Sequence, residues 1–371
     1  MTMFGRLKRH RLSYTDMNEQ HRAFLQTLLT TPSPSGFEVP GQRAWVEYVS
    51  EFADEVRTDE YGNAVAVVEG NDPEIAFAGH ADQIGLIVAG IDEDGFLRVD
   101  TIGGSDRTVT KGQQVEIHTD DGVVNGVVGQ RAIHLRDPAD DEFEDITEQH
   151  VDIGASGESE AEELVDVGDP IVFTPNIEEL HGTRLAGPGI DNRVGTWVAA
   201  EALRRAAERG ADATVYAVST VQEEVGLQGA KMVGFDLDPD AIVAVDVTHA
   251  MDSPDVTNEE QFKNIDIDLG GGPVVARGST NHIEVVKAIR EAAEDADIPV
   301  QLQAAGVQTG TDADAFYTAS GGTPSLNLGL PNRYMHTPVE VIDTDDLELS
   351  ADLLAEFAVR ASDRDGFAVD L

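Results

Sequence analysis

The sequence predicts an α/β/α domain with a mostly parallel central sheet, interrupted by a small all-β insertion. Apolar β-forming runs alternate with amphipathic helical stretches before residue 85 and again after residue 176, a pattern typical of a sheet covered by helices. Between these two parts, short alternating strands and turns follow one another with no convincing helix before residue 155. We therefore assign residues 1–84 and 177–371 to one domain and residues 85–176 to an inserted β domain.

Hydrophobic periodicity places the elements of the larger domain. A helix at 39–53, for example, carries Trp45, Tyr48, Val49 and Phe52 on neighbouring turns. Further helices are predicted at 18–30, 192–209 and 282–295 and around Leu347, Leu353, Leu354 and Phe357. The predicted strands are 63–70, 74–80, 213–220, 241–248 and the runs PVQLQAA and SLNLGL. Strands that alternate with helices in this way favour parallel pairing.

The charge of the chain is strongly negative. Lys and Arg number 25 and Asp and Glu 70, which gives a formal net charge of −45. With 41% hydrophobic residues the chain is globular, so the acid indicates a halophilic surface that concentrated salt screens. Nucleic acid is not expected as a partner, because phosphate binding requires clustered Lys and Arg.

The ends and the cysteine content restrict the kind of protein further. No cysteine is present, so a metal would have to be held by His, Asp and Glu. The basic start MTMFGRLKRHRLSY is followed by no apolar stretch, so we expect no signal peptide and a cytoplasmic protein. Residues 1–16 are expected to form a disordered extension before Met17. No apolar run of 18 residues occurs, so no membrane span is expected.

Possible metal ligands stand where the predicted strands end. EIAFAGHAD ends in His80 and Asp82, AVSTVQEE in Glu223 and Glu224, and AIVAVDVTHA contains Asp246. Asp191 follows a Gly-Pro-Gly loop at the start of a helix, and His336 lies in the loop after SLNLGL. Ligands of open α/β sheets bind beyond the carboxyl ends of the strands. The pattern therefore predicts a metal site at that edge.

Each of these residues has an ordinary explanation when taken alone. Asp191 could be a helix N-cap, and a lone His80 or His336 could be a structural histidine. Salt adaptation, however, places acid on surfaces, whereas these carboxylates end runs such as AIVAV and IAFAG that should be buried. Buried carboxylates are costly unless they are paired or bind metal. The joint pattern therefore favours a metal site.

The ordered motifs AGHADQIG, GPGIDNRVG, QEEVGLQGA, VAVDVTHA, GTDADAF and RYMHTP resemble the tetrahedral (TET) aminopeptidases, a family of binuclear zinc or cobalt metallopeptidases. The resemblance extends from about residue 20 to the C-terminus and includes the β insertion. It implies metal-dependent removal of N-terminal residues from peptides. It also implies a homo-oligomer, a dodecamer built from dimers that the inserted domain forms.

Transferred position by position, the resemblance makes Asp191 the carboxylate that bridges two divalent metals, Zn²⁺ or Co²⁺. It places His80 and Asp246 on one metal and Glu224 and His336 on the other. It further makes Glu223 the general base and Asp82 the residue that orients the His80 imidazole. Asp312, in GTDADAF, would help to build the substrate pocket. His249 matches no motif, and we expect it to serve a structural or surface role.

Several alternatives remain open at the level of sequence. A dimetal carboxypeptidase or N-acyl deacylase would use a similar centre. The spacing of the residues does not show that the enzyme recognises a free N-terminal amine, so these alternatives stay open. A glycoside hydrolase needs two carboxylates that flank the sugar, which adjacent Glu223 and Glu224 with histidine neighbours do not supply. A scaffold with structural metal is disfavoured, because structural zinc sites are closed and usually contain Cys.

Overall fold

The structure is a computed structural model and describes residues 17–136, 143–257 and 265–371. The predicted extension, residues 1–16, lies outside the described residues. The helices are α1 (Glu19–Thr30), α2 (Val39–Val49), α3 (Glu158–Glu162), α4 (Ile190–Glu208), α5 (Gln228–Asp236), α6 (Pro254–Thr257), α7 (Ile283–Asp295), α8 (Ala313–Phe316) and α9 (Thr344–Ala361). The strands are β1 (Glu55–Thr58), β2 (Ala64–Val68), β3 (Asn71–His80), β4 (Gly85–Ile91), β5 (Leu97–Ile102), β6 (Gln114–Thr119), β7 (Gly122–Val128), β8 (His150–Asp152), β9 (Pro170–Phe173), β10 (Glu178–Glu179), β11 (Arg184–Gly187), β12 (Ala213–Thr220), β13 (Ala241–His249), β14 (Val274–Gly278), β15 (Gln301–Ala305), β16 (Ser325–Asn332) and β17 (Glu340–Asp343).

An eight-stranded sheet forms the centre of the larger domain, in the order β1-β2-β12-β3-β13-β16-β14-β15. Strands β12, β3, β13 and β16 run parallel to their neighbours in this group, and β15 runs parallel to β14. The pairs β1–β2, β2–β12 and β14–β16 are antiparallel. The predicted α/β fold with a mostly parallel sheet is therefore confirmed.

Helices cover both faces of this sheet. On one face, Trp197 of α4 and Phe357 of α9 are almost completely buried in a core that includes Phe77 of β3. On the other face, Phe316 of α8 and apolar residues of α5 pack against a second cluster that includes Val218 of β12. This burial of apolar surface supplies the main driving force for the three-layer arrangement.

Helix α2 ends earlier than the periodicity predicts. The prediction extends to residue 53, but the helix ends at Val49. The amides of Glu51 and Phe52 bond the carbonyls of Tyr48 and Val49, three residues back, which tightens the last turn. The chain is thereby directed into β1, which starts at Glu55.

The segment between Gly85 and Phe173 forms a closed barrel of six strands, in the order β4-β5-β8-β7-β6-β9. Its interior is a separate apolar cluster built around Leu86, Leu97, Ile117 and Ile171. Helix α3 follows residue 155, and short 3₁₀ turns occupy Ile133–Leu135 and Ile146–Glu148. The barrel therefore has its own core, separate from those of the α/β layers.

A three-stranded sheet, β10-β11-β17, was not expected from the sequence. It pairs Gly187, the first residue of the GPGIDN loop, with Glu340, just after the RYMHTP loop. Two loops that are far apart in sequence are therefore held side by side.

Within the described parts of the chain, no helix combines the length and apolar character that a membrane span requires.

Candidate active site

The predicted site residues meet at one edge of the central sheet. His80 is the last residue of β3, Asp246 lies near the end of β13, and Glu223 and Glu224 follow β12. His336 lies in the loop after β16. Because β12, β3, β13 and β16 are adjacent and parallel, their carboxyl ends open on the same side.

Asp191 reaches this edge from the first turn of α4. It is not the N-cap of that helix, which is Gly189, and the backbone angles of Asp191 and Asn192 are not helical. The Asn192 side chain satisfies nearby backbone groups: its Oδ1 accepts a hydrogen bond from the amide of Gly195 at 3.1 Å, and its Nδ2 donates to the carbonyl of Val245 at 2.7 Å. The Asp191 carboxylate is therefore free to face the histidines.

Asp191 and Asp246 both contact one imidazole nitrogen. Nε2 of His80 lies 3.3 Å from Oδ1 of Asp191 and 3.6 Å from Oδ1 of Asp246. All three side chains are at least nine-tenths buried. Two carboxylate oxygens therefore lie beside one imidazole nitrogen, and these are the three residues that the family resemblance implies as ligands of one metal.

The second oxygen of Asp191 faces a different imidazole. Nε2 of His336 lies 3.3 Å from Oδ2 of Asp191 and 3.7 Å from Oε1 of Glu224. Each carboxylate oxygen of Asp191 thus contacts the imidazole of a different element. Asp191 lies between two donor groups, the position that a bridging carboxylate requires.

The two adjacent glutamates lie in different surroundings. Oε2 of Glu223 lies 3.9 Å from Nε2 of His80, and ligand atoms of His80, Glu223 and Asp246 fall within 4.8 Å of one another. Ligand atoms of His80, Asp191 and Glu224 do the same. Both glutamates are therefore within reach of a cation, and distance alone does not separate a ligand from a base.

The electrostatics of the site call for positive charge. Burial raises the pKa of Glu223 to about 10 and that of Glu224 to about 8. Burial would lower the pKa of His80, but Asp246 and Glu223 hold it well above its ordinary value. Among the described residues that line the cavity there is no Lys or Arg. Buried carboxylates without such partners need another cation.

The residues present fit a pair of divalent metals. Oε1 of Glu224 is buried and has no hydrogen-bond partner, and a bound cation would supply one. The donors are two imidazoles and carboxylates with no thiolate, a set that suits zinc or cobalt. His80, Asp191 and Asp246 would hold one ion, and Asp191, Glu224 and His336 the other.

Asp82 is completely buried behind His80. Its Oδ1 lies 3.3 Å from Nδ1 of His80 and accepts the amide hydrogen of Glu223 at 2.9 Å. Its Oδ2 accepts hydrogen bonds from the amide of Glu224 at 3.1 Å and from the hydroxyl of Ser35 at 2.6 Å. One carboxylate thus contacts three residues of the site.

Sequence reasoning missed Glu340. This carboxylate is 1% exposed, and it accepts hydrogen bonds from the amides of Asp191 at 3.0 Å and His336 at 2.9 Å. Its position four residues after His336 was a weak signal, since 149 residues separate it from Asp191. Burial raises its pKa to about 8, and Asp191 adds to that effect.

Arg193 was missed as well. It is 2% exposed and donates hydrogen bonds to the carbonyls of Gly189 at 2.7 Å, Pro188 at 2.9 Å and Leu28 at 3.0 Å. These bonds tie the GPGIDN loop to α1. A single buried guanidinium therefore fixes the backbone that presents Asp191.

Two further predicted residues lie close to the site. Asp312 is 2% exposed and accepts a hydrogen bond from the Thr220 hydroxyl at 2.5 Å. Its neighbour Thr311 lines the cavity, and Asp312 is buried behind it. His249 lines the cavity too. Among the described residues, it makes no carboxylate contact within 4 Å of the kind that His80 and His336 make.

The five predicted metal ligands and Glu223 line a cavity of about 310 Å³. A family model described as M42 glutamyl aminopeptidase matches residues 62–353, most of the chain. The chain belongs to the M42 peptidase family. The predicted resemblance to peptidases of this kind is thereby confirmed at the level of the family.

Relatives of this M42 chain include solved and curated proteins. A lysyl aminopeptidase from Pyrococcus furiosus is 36% identical over 328 residues, which cover 87% of this chain and 92% of that protein. A TET aminopeptidase from a marine sediment Thaumarchaeota archaeon has 33% identity and a TM-score of 0.86, over 92% of this chain and 96% of that one. A TET peptidase from Pyrococcus horikoshii, described as assembling into a tetrahedron or a large octahedral shell, has 29% identity and a TM-score of 0.81, with coverage of 91% and 99%.

Proposed function

We propose that the protein is a metal-dependent aminopeptidase that hydrolyses N-terminal residues from peptides at a binuclear centre. The observation that carries the proposal is the position of Asp191, whose two oxygens each lie 3.3 Å from the Nε2 atom of a different histidine. Family membership and the aminopeptidase relatives support the class of reaction.

In this proposal the metal ligands are His80, Asp191 and Asp246 for one ion and Asp191, Glu224 and His336 for the other. The ions, Zn²⁺ or Co²⁺, would supply Lewis-acid activation of the attacking water and of the peptide carbonyl. Asp82 holds the His80 ring through Nδ1, so that Nε2 faces the cavity. The protein's own part is to fix these donors before the substrate arrives.

Glu223 acts as the general base in this account. It accepts the proton of the attacking water on a carboxylate oxygen and delivers it to the nitrogen of the departing amine. The amide of Glu223 is held by Asp82 at 2.9 Å, which places the side chain over the cavity. Cations beside Glu223 favour its ionised form, because opposite charge offsets the effect of burial.

Assembly and salt adaptation form the finer part of the proposal. The described strands of the barrel contribute nothing to the donor groups of the site, so we propose that the inserted domain mediates contacts between subunits. By analogy with the TET peptidases, twelve chains built from dimers would form a closed particle. The net charge of −45 supports a halophilic protein, whose subunits repel one another when salt is dilute.

A substrate panel tests the activity. The metal-loaded protein is assayed on aminoacyl amides and tripeptides with free N-termini and on the same compounds after N-acetylation. We expect hydrolysis of the free compounds alone. Preferential cleavage of the N-acetylated compounds would support a deacylase, and release of C-terminal residues would support a carboxypeptidase. The side-chain preference is read from the same panel, with lysyl and glutamyl amides compared directly.

A further inference from the structure

A second and larger cavity borders the active site. It is a groove of about 980 Å³ between helix α7 and the edge strand β15. Gln303 and Ala304 line both this groove and the cavity of the site. A peptide whose first residues lie in the site would therefore meet the groove along β15.

Strand β15 offers an open edge. It pairs with β14, and no other strand of the described chain pairs with it. Its residues alternate in exposure, with Leu302 and Ala304 exposed, and Ile283 of α7 adds apolar surface that is 65% exposed. An unpaired edge with apolar side chains beside it is the arrangement that accepts an extended peptide as an added strand.

The groove also concentrates positive charge. Arg277, Lys287 and Arg290 line it, in a chain with 25 basic and 70 acidic residues. Lys287 lies 3.8 Å from Glu284 of the same helix. Among the described residues, Arg277 and Arg290 form no salt bridge with any carboxylate, although Glu294 lines the groove and Glu291, also in its wall, pairs with Arg364 at 2.7 Å.

We propose that the groove binds the downstream part of an acidic peptide substrate, which adds to the sheet beside β15 and places its carboxylates on Arg277 and Arg290. The proposal rests on the proposed aminopeptidase function. Guanidinium groups bind carboxylates through charge-assisted hydrogen bonds. Because Arg277 and Arg290 form no salt bridge among the described residues, each can bind a carboxylate of the substrate. Gln303 and Ala304 line both the groove and the cavity of the active site. This continuity favours the substrate, rather than a separate partner, as the molecule that occupies the groove.

The geometry sets a minimum length for such a substrate. Two strands, β16 and β14, lie between β15 and β13, which carries Asp246. A strand added outside β15 is therefore four inter-strand spacings from β13, and each spacing is about 4.8 Å. Such a strand would lie about 19 Å from β13. An extended chain covers about 3.3 Å per residue, so about six residues are needed before the groove is reached. Shorter peptides should not depend on the two arginines.

The experiment compares three substrates that share their N-terminal residues: a tripeptide, a ten-residue peptide with Asp and Glu at positions 6 to 10, and the same decapeptide with Asn and Gln there. The variants are Arg290→Gln and the double variant Arg277→Gln/Arg290→Gln. Arg57→Gln is the matched control, since Arg57 is an exposed arginine on β1, the opposite edge of the sheet. Kinetics are measured at the lowest salt that keeps the native mass.

We expect Arg290→Gln, which removes one charge-assisted contact, to raise KM for the acidic decapeptide about tenfold. The double variant, which removes both contacts, should raise it further, and kcat should be unchanged in both. KM for the tripeptide and the amide decapeptide should change less than twofold, and Arg57→Gln should resemble the wild type. Equal KM values for the acidic decapeptide in all variants would overturn the inference and leave the aminopeptidase function intact. If the wild-type protein does not hydrolyse the tripeptide, both the aminopeptidase function and the inference about the groove are wrong.

Light scattering on the same variants excludes the other occupant. If the arginine variants have a smaller particle mass than the wild type, the groove is an interface between copies of the chain and the inference is wrong. If their mass equals that of the wild type and KM changes as stated, the groove binds substrate.

Discussion

Oδ1 of Asp82 lies 3.3 Å from Nδ1 of His80, whereas the other ring nitrogen of His80 lies 3.3 Å from Asp191. The imidazole is therefore held from behind while its front faces the proposed metal site. Carboxylates in this position fix the tautomer and orientation of a ligating histidine. Asp82 also accepts hydrogen bonds from the backbone amides of Glu223 and Glu224. The same carboxylate therefore positions both the His80 ring and the two glutamates.

We expect Asp82→Asn to weaken metal binding by about 10- to 100-fold, the usual effect of losing such a partner. Metal content at a series of buffered zinc concentrations measures the change. Ser35→Ala is the control, because it removes a hydrogen bond to Oδ2 of Asp82 and leaves the contact with His80 in place. Equal metal affinity of Asp82→Asn and the wild type would show that the contact has no positioning role.

Glu340 makes a second prediction possible. Its two oxygens accept the amides of Asp191 and His336, and a glutamine can accept only through its single oxygen. Glu340→Gln therefore leaves one buried amide without an acceptor, at a cost of about 1–3 kcal/mol, and allows one ligand loop to move. We expect weaker binding of the metal that His336 contacts, measured by metal content at limiting zinc.

Asp346→Asn provides the matched control for Glu340→Gln. Asp346 of α9 is also buried, and its two oxygens accept the amides of Gly270 and Gly272, which are not site residues. Asp346→Asn should lose stability without losing metal. If both variants lose metal equally, Glu340 acts through general stability alone.

A buried ion network connects three helices, α1, α2 and α4, and predicts a pH effect. Glu201 is completely buried and lies 2.8 Å from Arg204, 3.3 Å from Arg205 and 3.2 Å from His21, and it accepts a hydrogen bond from Tyr48. Burial would raise the pKa of Glu201, but Arg204 and its other partners hold it below its ordinary value. Stability from this group is therefore present above about pH 4.5 and is lost as pH falls through the lower folded value.

Glu201→Gln should reduce the free energy of unfolding by about 3 kcal/mol at pH 7, because breaking a buried ion pair leaves charge uncompensated. The difference from the wild type should stay constant down to about pH 5 and shrink below that value. Denaturant unfolding at fixed protein and salt concentrations measures it. Glu208→Gln, which removes an exposed partner of Arg204, should cost less than 1 kcal/mol. Equal effects of the two substitutions would contradict the role of burial.

Salt should control the assembly. In molar salt the screening length is about 3 Å and in 0.1 M salt about 10 Å, so a chain of net charge −45 repels its copies far more strongly in dilute salt. We expect a particle of twelve chains of 39.7 kDa in molar salt and its dissociation or unfolding in low salt. Light scattering across a salt series measures both. A fully active monomer in molar salt would refute the assembly, and a particle indifferent to salt would refute the halophilic adaptation.

The positions of His80, Glu223, Glu224 and Asp246 could be predicted because each lies at or near the end of an apolar run whose strand character is local. His80 and Asp246 end or nearly end such strands, and parallel pairing then brings them together. Glu340 could not be predicted in this way, because its contact with Asp191 spans 149 residues and depends on the pairing of β11 with β17. Those strands have only four residues each, too few for a pattern to identify.

Local reasoning also failed where tertiary contacts set the boundary of an element. The amphipathic pattern of α2 continues through Phe52, which is partly buried, but the amide of Asp54 bonds the carbonyl of Val67 and draws the chain into the sheet. Helix α5 is short and contains two glycines, Gly229 and Gly234, so its pattern resembles a loop. Asp312 does not line the cavity, whereas its neighbour Thr311 does, and its expected part in building the substrate pocket stays a prediction.

The most direct test of the central claim is the metal content of Glu223→Gln after saturation with zinc, read beside its rate of hydrolysis. The account predicts two metals per chain and a rate lower by about 10²- to 10⁴-fold, the usual contribution of a general base. Glu224→Gln should instead bind one metal more weakly and regain part of its activity in excess zinc. If Glu223→Gln loses a metal while Glu224→Gln keeps both, the two roles are reversed. One metal or none in the saturated wild type, or full activity of both variants, would contradict the binuclear mechanism.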